Sequence, residues 1–286
     1  MVLESLVRTS EVKAHPDRMF LLSIFVAIVA LVLSVGIFGV YSSVVWVALT
    51  AIALAPLMLN LFRKSEQEEV ALHETPLTFM ERQSFLISVY FWLFLGITII
   101  ASLAYIALPD GARTSLFGAQ LDTLSQMAQL QSTVSGNMFA AGAANSFVHN
   151  FLFLFVHNFW ILLLFFVTSL LYGMGALFIT IWQASVLGTY VGVGGLETFS
   201  RKLQLDAVSQ YGLGLYALAG ILPHGILEIA GFFFAAISGA VLSAAIVNRV
   251  WKDKDAFKIV VEDTAVLFVI GVAFIFIAAI VESFAI

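Results

Sequence analysis

Read for its polar positions, the chain is a series of long apolar stretches with charge confined to the gaps between them. No Asp, Glu, Lys or Arg occurs in residues 19–62, 83–109, 123–196, 207–227, 229–248 or 264–281. A membrane-crossing helix needs about 20 mostly apolar residues for a hydrocarbon core of roughly 30 Å. At a rise of about 1.5 Å per residue, residues 19–62 hold two helices, broken near Gly36, Gly39 and the Tyr41-Ser42-Ser43 turn. Residues 85–108 make a third, stopped by Pro109. Residues 151–196 would be about 69 Å long if straight, which calls for a break at Gly173/Gly175 or between Gln183 and Gly188. Residues 207–248, about 63 Å as one helix, must fold back or re-enter, and Pro223 marks the place. Residues from Thr264 to the C-terminus supply the last helix. The pattern therefore predicts an all-α fold, a polytopic transmembrane helical bundle of about six to seven spans, with broken or re-entrant helices around Gly173 to Gly195 and at Pro223. No solenoid repeat or low-complexity linker interrupts it, so residues 1–286 read as a single integral membrane domain.

The gaps orient the bundle, because Lys and Arg concentrate on the cytoplasmic side. With a cytoplasmic arm over residues 1–18 and cytoplasmic loops at 63–84 and 249–263, the inside holds Arg8, Lys13, Arg18, Arg63, Lys64, Arg82, Arg249, Lys252, Lys254 and Lys258. The outside holds only Arg113, with Arg201 and Lys202 as the remaining candidates. This assignment requires an odd number of crossings between Arg113 and Arg249; seven spans meet it, and so do fewer spans with two re-entrant hairpins. The first apolar run is too long for a signal-peptide core and lacks a small-residue cleavage site, so it reads as a retained signal anchor. The expected location is the plasma membrane, multi-pass, with the N-terminus cytoplasmic. In the external loop, residues 110–150, Phe117, Leu121, Leu124, Met127 and Leu130 recur at helical spacing between Gln120, Asp122, Gln126 and Gln129. They predict an amphipathic interfacial helix ended by the Ser132–Asn137 turn, either a cap on the bundle or a docking face.

Composition changes the picture only by exclusion. Hydrophobic residues are 61% and charged residues 11%, against about 25% charged in a soluble domain, and the mean hydropathy is +1.03. This rules out a soluble enzyme, a disordered regulator and a secreted disulfide scaffold. A net charge of −5 argues against nucleic-acid partners, which need a clustered basic face. The absence of Cys removes disulfides, thiolate nucleophiles and Cys-ligated metals.

Chemistry is expected where a polar group sits against this grain. Glu228 interrupts one long apolar segment, and an ionisable group at that depth costs about 2.5–3.5 kcal/mol on insertion scales unless it faces a partner or a wet cavity. His224 lies four residues before it, on the same helical face. Pro223 fits a helix's first turn but not its interior, so the Pro223-His224-Gly225 break would leave unsatisfied N–H groups beside the pair. Two readings follow: a proton, cation or substrate site, or a buried hydrogen-bonded pair that pins the break. His157 and Asn158 inside their span, and Trp182, Gln183 and Ser185 in a glycine-rich stretch running to Glu197, are candidates for the surroundings of that pair. The glycines there fit neither the dinucleotide nor the P-loop spacing. Gly231, Ala235, Gly239 and Ser243 recur every fourth residue and predict close helix packing. No cofactor motif is present; metal ligation by His157 with His224 and Glu228 is a minor reading, because a third ligand beside the His224/Glu228 pair is not evident.

With those residues in place, the chain resembles the stage II sporulation protein M family of integral membrane proteins, as an archaeal-type member. The resemblance rests on Pro223-His224-Gly225 followed by Glu228, with His15-Pro16 and Met19-Phe20, His157-Asn158, and Trp182-Gln183-Ala184-Ser185-Val186-Leu187-Gly188. The family's usual Asn-Asn pair reads His157-Asn158 here. The resemblance implies a non-enzymatic membrane component: the bacterial member belongs to the engulfment machinery of sporulation and works with peptidoglycan-degrading partners, without being the hydrolase. The leading expectation is accordingly a scaffold that recruits membrane or envelope proteins within the lipid bilayer. The alternative is a transporter or channel for a proton, cation or small solute that uses His224 and Glu228. An intramembrane metal-dependent hydrolase is a third reading.

Overall fold

A computed structural model describes residues 9–72, 76–141, 143–173, 175–194 and 207–285. The regular structure of these residues is helical: α1 (Thr9–Ala14), α2 (Arg18–Phe38), α3 (Ser42–Leu72), α4 (Pro76–Ala107), α5 (Asp110–Ala141), α6 (Ala143–Tyr172), α7 (Gly175–Val193), α8 (Ala207–Val247) and α9 (Lys254–Ala285). Among the described residues, seven helices contain a stretch long and apolar enough to cross a membrane: Arg18–Phe38, Ser42–Arg63, Ser84–Ala107, Phe147–Tyr172, Gly175–Val193, Tyr211–Val247 and Lys254–Phe284. The fold is an all-α polytopic bundle, and the protein is a membrane protein.

The expected break after the first helix is present. Gly39 has φ +52°, a conformation that favours glycine, and the Ser42 hydroxyl donates to the Ser34 carbonyl at 2.9 Å across the turn. Gly173, at φ +69°, makes the second turn. A methyl group on Gly175 would collide with the Thr168 backbone, so only glycine lets α7 depart so tightly from α6.

The expected break at Pro223 is not present. Helix α8 runs unbroken through it for 41 residues, about 62 Å at helical pitch. Proline removes one hydrogen bond and bends a helix, and neighbouring helices can carry it through. The two halves of α8 differ instead in packing. Residues from Gly231 to Val241 are buried throughout, whereas Val208, Tyr216 and Leu222 in the first half are exposed. Nor does the glycine-rich stretch unwind, since α7 is helical from Gly175 to Val193. Its glycines are contact points: a methyl on Gly188 would lie 2.5 Å from the Thr98 carbonyl oxygen, and one on Gly192 would meet the Tyr105 ring. Close approach to α4, not helix breaking, explains them. The chain leaves α7 at Gly194, with φ +86°; Gly195 and Glu197 lie outside the described residues.

The three expected loops are shorter than the charge pattern implied. Helix α3 extends to Leu72 and α4 starts at Pro76, because residues such as Glu66, Gln67 and Glu68 are good helix formers once outside the apolar region. Helix α9 begins at Lys254, where the Asp253 carboxylate accepts from the N–H groups of Asp255 and Ala256 at 3.1 and 3.2 Å, a side-chain cap. Helix α5 continues to Ala141 through the expected Ser132–Asn137 turn.

Pairwise contacts give the direction of each span. Phe20 meets Trp92, Thr98 bonds to Ala184 and Gly192 faces Tyr105, so α2, α4 and α7 run parallel. Asn158 meets Glu228 and Phe165 meets Phe232, so α6 and α8 run parallel, while His224–Glu282 and Ser238–Thr264 set α9 antiparallel to α8. One end of the bundle therefore carries Arg18, Arg63, Arg249, Lys252 and Lys254, and the other carries Arg113, with the three spans α6, α7 and α8 between. The odd crossing number demanded by the charge pattern is met.

Helix α5 caps the Arg113 end. The Trp46 indole donates to the Leu116 carbonyl at 3.0 Å, its ring packs edge-on against Phe117, and Gln120 donates to the Ser43 carbonyl and the Ser185 hydroxyl at 3.1 and 3.2 Å. The small-residue stripe of α8 serves two neighbours. Gly231 lies against Gly271 of α9, where either methyl group would come 2.9 Å from the opposite carbonyl oxygen, and Gly239 lies against Phe166 and Ser169 of α6. Ala235 and Ser243 are buried on the same helix.

Candidate functional site

Glu228 does not pair with His224. Helical pitch puts the two on one face, but each reaches a different neighbouring helix. The Glu228 carboxylate accepts from Asn158 Nδ2 on α6 at 2.5 Å. His224 Nε2 lies 3.9 Å from Glu282 Oε1 on α9, with side-chain exposures of 14% and 16%. The result is a polar relay across three helices, α6 to α8 and α8 to α9.

These groups face a cavity of about 950 Å³. His157, Asn158, Gln183, His224, Gly225 and Glu228, all singled out in the sequence, line it. Trp182, Ser185 and Pro223 do not. Trp182 packs against the apolar core, and Ser185, fully buried, donates to the Trp182 carbonyl at 2.7 Å while accepting from Gln120, which ties α7 to the cap. Pro223 lies on the outer side of α8 and is exposed.

Two contributions escaped the sequence reading. Glu282 sits just past the last charge-free stretch, within the last helix, where the charge pattern does not mark it. The other comes from α5: Asp122 and Ser125 line the cavity together with Leu121, Leu124 and Met127 of that helix's apolar stripe. The inner end is aromatic. Phe165 and Phe232 stack at 5.1 Å with planes 4° apart, and Phe233 packs on Tyr90 at 5.3 Å and edge-on to Phe94 at 5.9 Å. Thr180, 1% exposed, also lines the cavity, and its Oγ1 has no hydrogen-bond partner. Other threonines in these helices, such as Thr189 and Thr264, donate to a carbonyl one turn back.

The lining carries the carboxylates of Asp122, Glu228 and Glu282 and no Lys or Arg, so its field favours cations. Among the described residues no group of His, Asp and Glu converges closely enough to hold a metal ion.

Fold and site together define a helical membrane protein built around an acidic intramembrane cavity. The profile of the Stage II sporulation protein M family matches residues 85–285, and the chain belongs to that family. No curated protein and no solved structure matches it significantly. The matched segment runs from α4 to α9 and contains every residue that lines the cavity. Helices α2 and α3, and with them His15-Pro16 and Met19-Phe20, lie before it.

Proposed function

We propose that the protein is a membrane carrier that takes a cation or a small cationic solute into the cavity among α5, α6, α7 and α8. The observation that carries this reading is the convergence of Glu228, Glu282 and His224 on about 950 Å³ of space inside the bundle. A bilayer-embedded carboxylate is costly unless it faces a partner or a wet cavity, and Glu228 faces both Asn158 and the open space. In this reading the plasma membrane holds the protein with its basic end and N-terminus in the cytoplasm, and the cavity mouth under α5 opens on the opposite side.

The test is uptake by purified protein in liposomes, with inorganic cations and small organic cations offered in turn. Wild type is expected to give saturable uptake of one class, and Glu228→Gln to lower it at least tenfold with an unchanged melting temperature. Uptake equal to that of protein-free liposomes for every solute offered would remove the carrier reading. Family membership favours a second reading, a non-enzymatic scaffold for envelope or membrane proteins. Cross-linking in native membranes that traps the same partner for wild type and Glu228→Gln, with no flux, would establish it in place of the first.

A further inference from the structure

We propose that the occupant of the cavity is an organic ammonium ion with an apolar body, its head held between Glu228 and Glu282 and its body against the aromatic inner end. The inference rests on the cationic-solute reading above and narrows it to one chemical class.

Size comes first. A cavity near 950 Å³ falls within the range of about 300–1,000 Å³ typical of pockets for drug-sized ligands. A water molecule takes roughly 30 Å³ of liquid, so an inorganic ion with its first shell would leave most of the volume without specific contact. The ligand geometry agrees: the His, Asp and Glu side chains among the described residues do not gather as a metal's ligands do.

The wall chemistry makes the second point. Two carboxylates supply charge on one side, and the inner end presents aromatic rings. The stacked pair Phe165 and Phe232 offers ring surface to an apolar body, and a cation near such faces gains from the ring quadrupole. A carboxylate beside aromatic surface suits an ammonium head joined to a hydrocarbon or aryl body, and it disfavours an anion or a strongly hydrated ion.

The probe is 2-phenylethylammonium, with the uncharged 2-phenylethanol as its isostere, titrated calorimetrically into the full-length protein in detergent. Wild type is expected to bind the ammonium saturably and the alcohol at least tenfold more weakly. Glu228→Gln and Glu282→Gln should each weaken the ammonium at least tenfold. Equal binding of ammonium and alcohol would overturn the proposal as apolar partition, and this arm needs no variant. Binding unaffected by either Gln substitution overturns it as well, as does complete displacement by potassium or sodium chloride alone. The liposome assay separates the two readings. Ammonium binding without flux leaves this site standing and removes the carrier; flux of an inorganic cation without ammonium binding does the reverse.

Discussion

Glu228 shows how a buried carboxyl group is held where the described residues lining its cavity include no Lys or Arg. Its contact is an amide, Asn158, one helix away, and polar pairs between membrane helices contribute about 0.6 kcal/mol on average and up to about 1.7 in double-mutant cycles. The cycle Asn158→Leu, Glu228→Leu and the double variant should therefore give a coupling of roughly 1 kcal/mol in detergent unfolding. A coupling near zero would mean that the 2.5 Å contact does not hold the carboxylate. A lone Glu in an apolar stretch is conspicuous, so its unusual position was legible. Its partner was not, because a helical face has more than one neighbour, and i to i+4 spacing says which residues share a face without saying what that face meets. Glu282, 54 positions further along the chain, becomes relevant only through the packing of α9 on α8.

At the scale of elements, the sequence marked every unusual stretch and misjudged what several were for. Glycine density in α7 reads as weakness when propensity alone is counted. In the bundle it reads as clearance, since Gly188 has the Thr98 carbonyl and the Ala101 methyl where a side chain would be, at 2.5 and 2.7 Å. Gly188→Ala is accordingly expected to destabilise by about 1–3 kcal/mol through overpacking. Gly212→Ala on α8, with open space around the added methyl, should be neutral or stabilising by up to about 1 kcal/mol. Thermal unfolding of both variants in detergent checks the pair, and equal melting temperatures would contradict the packing argument. Pro223 was misjudged in the opposite direction. It reads as a stop, but one missing hydrogen bond does not end a helix that its neighbours support, and α8 continues. The amphipathic pattern of residues 117–130 was legible as a helix. That this helix would help line the cavity depended on Trp46 and Gln120 fixing where it lies.

On the scale of the whole molecule, sidedness is the property that charge and fold determine together. The bundle separates Arg113 and the α5 cap from the basic positions at 249–254 by three crossings. The lack of Cys in the chain makes this directly measurable. Ser125→Cys is expected to react with a membrane-impermeant maleimide from the outside of intact cells, and Lys252→Cys only after the membrane is opened. Labelling of both from the same side would overturn the orientation and with it the outward-facing mouth. The cavity, the cap and the family match all fall within α4 to α9, whereas α2 and α3 contribute no lining residue. These first two spans instead build the packed side of the bundle, where Met19, Trp46, Met58 and Leu61 are fully buried.

The sequence by itself determined the solvent, the helical class, the spans on either side of Gly39, the charge asymmetry along the chain and the exceptional position of Glu228 in an apolar stretch. Each of these follows from local composition: a residue's hydropathy, a glycine's φ freedom or a charge's hydration cost acts on the chain wherever that residue stands. Only the tertiary structure decided that α8 passes through Pro223, that glycines in α7 are contact points, and that Asn158, His224, Glu228 and Glu282 gather at one cavity. Those outcomes depend on which helices become neighbours, and that is set by the sum of many weak side-chain contacts between segments far apart in the chain.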